Sequence, residues 1–319
     1  MPSPTSPGTF SRPDLGQAYE EFDLMAHVNG FVGLRLMPMT STGLQAGTFS
    51  RVKIQSLLKD DRDVKRAPGA GYNRSSWEFE ADSFACEERG AEELLDDRER
   101  AAFGFTGIRF DMLSADRAVA ALMRNLEVEI ATLCQNAAGF PTQTTAVGTE
   151  WDTAATATPV NDVLAARESF KSQVGIYPNG IVLSEKVMTN VVQTAEVQDY
   201  VKYGATMDDP RTLAESALAK VWRIPNVIVS SAVRSTANPG QPTAVLADIW
   251  DDEFVSLIHI PQGDDLRSVG FGRTFAFQEL VVEQYREEKL RSDVIRARFD
   301  IQVKTIHTEA IHILSNITT

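Results

Sequence analysis

Between residues 114 and 139 the apolar positions fall at steps of three and four: Val119, Leu122, Met123, Leu126, Ile130, Leu133, Cys134 and Ala137. That is the period of one helical face. Arg117, Arg124, Asn125, Glu127, Glu129 and Gln135 fall mostly elsewhere. Ser114 suits an N-cap and Asp116 the first turn. Gly139 suits the stop, and Pro141 forbids resumption. The pattern predicts an unbroken helix over 115–138, roughly 36 Å long at about 1.5 Å per residue.

Alternation by twos marks other stretches. Over 294–307, Ile295, Ala297, Phe299, Ile301 and Val303 alternate with Arg296, Arg298, Asp300, Gln302 and Lys304, the signature of a strand with one apolar face. Residues 275–285 are also strand-like, and Ile311, Ile313, Leu314 and Ile317 close the chain. These strands need cover for their apolar face. The long helix carries an unclaimed stripe, so the pattern predicts returning C-terminal strands packed on that helix.

Upstream, 49–58 reads as a strand with Val52 and Ile54 apolar, followed by a charge-dense run containing Lys59, Arg62, Lys65 and Arg66. Pro68, Gly69 and Gly71 mark a turn or tip. Trp77, Phe79, Ala81 and Ser83 then alternate with Glu78, Glu80 and Asp82. Together these predict a long two-stranded arm whose apolar face is the Trp77–Phe79 side. A lone ribbon is marginal in water, so the arm must lie on another surface, and a neighbouring subunit is the obvious one. That makes Lys59, Arg62, Lys65, Arg66, Trp77 and Phe79 the candidate intersubunit contacts. The following acidic stretch predicts a solvated helix over about 91–101. Residues 1–16, with Pro2, Pro4, Pro7 and Pro13, read as an arm without regular structure.

From Gly139 to Pro141 the composition changes. Pro159 suits the first position of a helix that Gly175 stops. Ile181, Val182 and Leu183 form a short buried strand, and Ser184 caps the next helix. Further helices are predicted to follow Val197 and to span 210–222. Short strands are predicted over 226–231, 244–250 and 253–260, giving a globular unit over about 141–273 with a small sheet and flanking helices. The unit made of hairpin, long helix and returning strands is therefore discontinuous.

The totals narrow the class. At 319 residues, 43% hydrophobic, the chain can build real cores. A net charge of -13 argues against a dedicated surface for gripping nucleic acid, which takes clustered Lys and Arg. It leaves room for a protein that encloses nucleic acid. Cys86 and Cys134 have no metal spacing and read as buried thiols of a reducing compartment. No apolar run approaches the roughly 18 residues of a membrane span, which makes a soluble cytoplasmic protein the default expectation. His27, His259, His307 and His312 form no metal motif, and Glu92, Glu93, Asp96 and Asp97 sit beside Arg98 and Arg100. No phosphate loop, dinucleotide fingerprint or nucleophile elbow is present. The expectation is a non-enzyme with no cofactor, metal or catalytic residue.

The order of parts, together with Trp151, Asp152, Pro159 and Asp162 leading to Pro178, Asn179 and Ser184, and the run from Tyr285 through Arg291, Asp293 and Arg296 to Asp300 and Lys304, resembles the major capsid protein of tailed bacteriophages, with its Hong Kong-97-like fold. That resemblance implies an α+β chain in which a long spine helix packs on a C-terminal antiparallel sheet. It implies an N-terminal arm over 1–47 and an extended loop over 48–84. The peripheral domain would comprise 85–140 and 274–319, and an inserted α/β axial domain 141–273. It further implies self-assembly as pentamers and hexamers into a head enclosing double-stranded DNA without sequence-specific binding. Scaffolding, portal and decoration proteins would be partners, with a place in the virion capsid after assembly in the host cytoplasm. An encapsulin-like compartment shares the fold, and a soluble α/β enzyme is the alternative of another class.

Overall fold

The structure, a computed structural model, describes residues 10–11, 30–53, 58, 65, 68–69, 71, 79–98, 100, 110–204, 215–237, 245–263 and 268–318. The chain opens with a two-residue strand β1 (Phe10–Ser11), a helical turn α1 (Gly33–Leu36) and strand β2 (Met39–Ser41). Strands β3 (Ala46–Val52) and β4 (Phe79–Ala85) pair as an antiparallel ribbon, and β5 (Glu87–Asp96) leads toward the long helix α2 (Phe110–Cys134). Next come β6 (Thr144–Ala146), α3 (Pro159–Val174), β7 (Gly180–Ser184), α4 (Glu185–Gln193), α5 (Ala195–Gly204), α6 (Glu215–Trp222) and β8 (Asn226–Ser230). Strands β9 (Val233–Ser235), β10 (Leu246–Asp248), β11 (Val255–Ile258), β12 (Gly272–Glu287), β13 (Ser292–Thr305) and β14 (Ile311–Ser315) complete it.

Two sheets flank α2. The first runs β1-β12-β13-β5, with β2 added in parallel to β12. Its inner face carries Ile295, Ala297, Phe299, Ile301 and Val303, which share one core with Val119, Leu122, Met123, Leu126 and Ile130 of α2. The alternation by twos thus meets the three-four period, as helix-on-sheet packing requires. The second sheet runs β6-β14-β11-β7-β8. Its two faces serve two cores. Val182, Ile228, Ile258, Ile311 and Ile313 join the α2 core. Ile181, Leu183, Val227, Leu257 and Leu314 face α3, α4 and α6 in a second core centred on Trp151 and Trp222. This double burial explains why β7 reads as a continuous apolar run.

Local chemistry accounts for several ends. Pro159 opens α3, and Gly175, at φ +82°, closes it in the left-handed region that glycine enters without penalty. Ser184 Oγ accepts from Val187 N at 3.3 Å, capping α4.

Four expectations need correcting. The long helix spans Phe110–Cys134, not 115–138. Ser114 lies within it, because nothing in the four preceding residues breaks a helix, and it ends where Asn136 folds back to accept from Gly139 N. The stretch predicted as an acidic helix over 91–101 is instead mostly β5, since Glu87–Asp96 pairs along nearly its whole length with β13. A long ladder with Glu92 opposite Arg296 outweighs helical propensity. The strand predicted over 49–58 begins at Ala46 and ends at Val52. Finally, Ile311–Ser315 does not return to the first sheet. It pairs with β11 and β6 in the second, while β5 and β13 of the first sheet lie along α2.

Candidate intersubunit surface

The β3–β4 ribbon is fastened at its base. Phe84 stacks on Phe275 of β12 with ring centroids 4.8 Å apart, and Phe49 packs on Phe275 at 5.6 Å. Such aromatic pairs add about 1 kcal/mol beyond their buried area. Lys304 of β13 reaches Asp82 at 2.5 Å and also the carbonyl of Ser83. Arg51 donates to the carbonyl of Ile306, and Ala85 N donates to Gln302 Oε1 at 2.7 Å. Arg51 and Lys53 both pair with Glu80, at 2.8 and 3.0 Å.

These contacts decide which face of the ribbon meets its own subunit. Gly47, Phe49 and Arg51 on β3, and Glu80, Asp82 and Phe84 on β4, form the half-buried side. Ala46, Thr48 and Ser50 on β3 and Phe79, Ala81, Ser83 and Ala85 on β4 face outward, with Phe79 64% exposed. The charged residues of the ribbon are turned toward their own subunit, where Lys304 and the Arg51–Glu80 pair satisfy them. The exposed side holds small or apolar residues and no ionised group. Sequence reasoning put Trp77 and Phe79 on one apolar face to be covered by a neighbouring subunit; Phe79 lies on the outward face. Inside this chain it rests on nothing described.

Of the other candidate contacts, Lys65 is exposed, and Lys59, Arg62, Arg66 and Trp77 lie outside the described residues. Leu58 approaches the end of α3: a Cβ on Gly175 would lie 2.2 Å from its Cδ1, yet Leu58 stays 61% exposed.

Beside the ribbon, the outer face of the first sheet is an ion-pair lattice. Glu283 accepts from Arg296 and Arg298 at 2.8 Å each. Arg298 also reaches Glu88 at 3.2 Å, and Arg296 reaches Glu92 at 3.6 Å. Arg286 holds Asp97 at 2.6 Å and Asp293 at 3.3 Å, and Arg100 holds Asp293 and Asp111. Burial pushes the Glu283 carboxyl up, but hydrogen bonds from Arg298 and Arg296 outweigh this and hold it below its ordinary range. Asp82 behaves likewise, with Lys304 overcoming the cost of burial. The acidic cluster of Glu92, Glu93 and Asp97 is thus spoken for by arginines. Among the described residues no group of three His, Cys, Asp or Glu is placed to hold a metal.

A cavity of about 210 Å³ lies between α3 and the β6 edge, lined among others by Thr145, Asp162, Ser169 and His312. His312 Nε2 meets Thr145 Oγ1 at 3.2 Å, and Asp162 accepts from Trp151 Nε1 at 3.0 Å. Burial pushes the imidazole down and the carboxyl up. Asp162 is committed to fixing Trp151 in the second core. No described helix is long and apolar enough to cross a membrane.

Among the buried charged residues that sequence reasoning missed, two stand out. Glu127, assigned to the polar face of the long helix, is 3% exposed, and Arg273 is 0% exposed. Arg273 donates to Thr40 Oγ1, the carbonyl of Gly263 and Ser268 Oγ, tying the N-terminal segment to β12. Neither is visible in a hydropathy pattern, because each is buried through partners distant in the chain.

With this architecture described, the comparisons become informative. Neither a family model nor a curated protein matches the chain. Solved structures do match. A phage-related protein from Bordetella bronchiseptica RB50 has 17% identity and a TM-score of 0.72, with 97% of this chain and 98% of that one covered. The putative capsid protein of a prophage of E. coli CFT073 has 10% identity and a TM-score of 0.56, covering 96% and 99%. A virus-like particle protein from Pyrococcus furiosus has 12% identity and a TM-score of 0.57, covering 95% and 97%. The chain has the fold of phage capsid proteins. It carries that fold over nearly its full length, as a mixed α+β chain with several sheets around one long helix.

Proposed function

We propose that this chain is the subunit of a closed protein shell, a major capsid protein of Hong Kong-97-like type. It is a structural protein that assembles with copies of itself into pentamers and hexamers around double-stranded DNA. The observation that carries this reading is the outward face of the ribbon. A two-stranded arm that buries its charges against its own subunit and presents an uncharged face outward is built to be covered by another molecule. In this assignment α2, β5, β12 and β13 form the peripheral domain, the β3–β4 ribbon belongs to the extended loop of 48–84, and residues 1–47 form the arm. The axial domain comprises 141–273 joined by the C-terminal strand β14. Lys59, Arg62, Lys65, Arg66, Trp77 and Phe79 are the proposed contacts to a neighbouring copy. Scaffolding, portal and decoration proteins are the expected partners, and the assembled protein belongs to the virion.

A second reading shares the architecture: a compartment shell without a genome. The similarity to the virus-like particle protein, at a TM-score equal to that of the prophage capsid protein within 0.01, favours keeping it. Negative-stain microscopy of the purified protein under assembly conditions tests both. Closed shells or capsomer rings support the shell reading, and a uniform monomer or dimer overturns it. Nucleic acid recovered from nuclease-treated shells then separates head from compartment.

A further inference from the structure

Glu127 sits in the C-terminal half of α2 with its carboxylate facing three donors. Oε1 accepts from Val32 N at 2.9 Å and from Trp250 Nε1 at 2.7 Å, and Oε2 accepts from Gly33 N at 2.8 Å. Trp250 is 1% exposed and Val32 3%. The acceptor and its donors belong to three separate parts of the chain: the long helix, the segment before and within α1, and the turn between β10 and β11. A second tie closes the circuit. Ser230 Oγ, at the end of β8, donates to the carbonyl of Gly30 at 2.9 Å, and Ile249 N donates to Ala232 O at 2.9 Å. Gly30 lies flush on the β8–β9 connection at φ +75°, where a Cβ would come within 2.3 Å of Ser231 Oγ. At Gly33 a Cβ would come within 2.6 Å of Glu127 Oε2.

A buried carboxylate is tolerated only while its lone pairs are occupied. Each donor lost raises the cost of keeping the charge among the remaining ones. The three donors therefore support one another through a single group. We propose that Glu127 is a coupling residue: it makes docking of the 30–37 segment on the long helix depend on the seating of Trp250 in the second sheet unit, and the reverse. By linkage the dependence is mutual. It is a property of the single subunit and holds whether or not the subunit builds a shell. In a shell it would let tension on the N-terminal arm reach the second sheet, and that consequence rests on the function proposed above.

The experiment uses the full-length unassembled chain. Trp250→Phe removes the indole donor and keeps an aromatic ring. Gly33→Ala places a methyl against Oε2. Backbone hydrogen exchange is followed for peptides covering 30–37, with peptides of β12–β13 as reference. Trp250 is followed by ¹⁹F NMR of fluorotryptophan-labelled protein, its resonance assigned with Trp250→Phe. Coupling predicts that Trp250→Phe speeds exchange over 30–37 about tenfold or more, the scale of one lost charge-assisted bond, with β12–β13 unchanged. It also predicts that Gly33→Ala shifts or broadens the Trp250 resonance. Exchange over 30–37 that is unchanged, or that rises equally in β12–β13, overturns the coupling, as does an unmoved Trp250 resonance. Should Trp250→Phe fail to fold, the Trp250 resonance is assigned by elimination from Trp77→Phe, Trp151→Phe and Trp222→Phe, and the Gly33→Ala spectrum decides alone.

Discussion

Leu126 and Glu127 are adjacent on the long helix, and both are 3% exposed, for opposite reasons. Leu126 faces the core, where a charge has no partner. Leu126→Asp should cost about 4 kcal/mol or more, seen as loss of a cooperative unfolding transition or of soluble subunit. Glu127 is charged and buried because three donors are fixed around it. Glu127→Ala should cost about 3 kcal/mol by leaving them unpaired, read from the midpoint of chemical denaturation. The carboxylates also set a pH dependence of known sign. Glu283 is held below its ordinary value of 4.5, so its contribution is present above that value and lost as pH falls through its lowered folded value. Glu127, Asp162 and Asp300 are pushed up by burial. Their effect is opposite: they disfavour folding at neutral pH, and that penalty fades only as pH falls through their raised values toward the ordinary ones. Denaturation midpoints measured across pH 7 to 3 should therefore fall more steeply at the acid end in the parent than in Glu283→Gln.

At the scale of the element, the ribbon carries the argument. Phe79 contributes little to its own subunit, being 64% exposed, so Phe79→Asp should leave thermal stability within about 0.5 kcal/mol while weakening assembly. Sedimentation of subunits against shells measures both. Replacing 59–66 by a short Gly-Ser turn should likewise spare folding and block closure. Shells that still close with normal stability would show that the arm is not an intersubunit element. The ribbon was legible in the sequence as an alternating pair of strands. What holds the charged face against its own subunit was not, because that depends on Lys304, Gln302 and Phe275, roughly two hundred residues downstream. The same holds for β5, whose acidic residues read as a helix until the arginines of β13 are set opposite them.

For the whole molecule, two sheets on one rod make a rigid tile with a projecting ribbon, and nearly full-length likeness to phage capsid proteins extends through both sheets. A shell assembled from such tiles should bury more than the roughly 1,600 Å² of a standard interface per contact set. A formal net charge of -13 also suits the proposed enclosure of DNA without gripping it. Dissociated subunits should therefore bind duplex DNA weakly at moderate salt in a filter or anisotropy assay. Tight, salt-sensitive binding would contradict a non-gripping wall.

The amino-acid pattern alone determined the long helix, the alternation of β13, the caps at Pro159, Gly175 and Ser184, and the order of parts that points to a capsid subunit. Each of these rests on interactions spanning a few residues, or on a periodicity that one face of one element must satisfy. Tertiary structure decided the strand nature of β5, the move of β14 into the second sheet, the outward turn of the uncharged ribbon face and the burial of Glu127 and Arg273. Each of those is settled by partners far away in the chain. A strand takes whichever free edge the folded core offers it, and a charge can be buried wherever distant donors happen to converge.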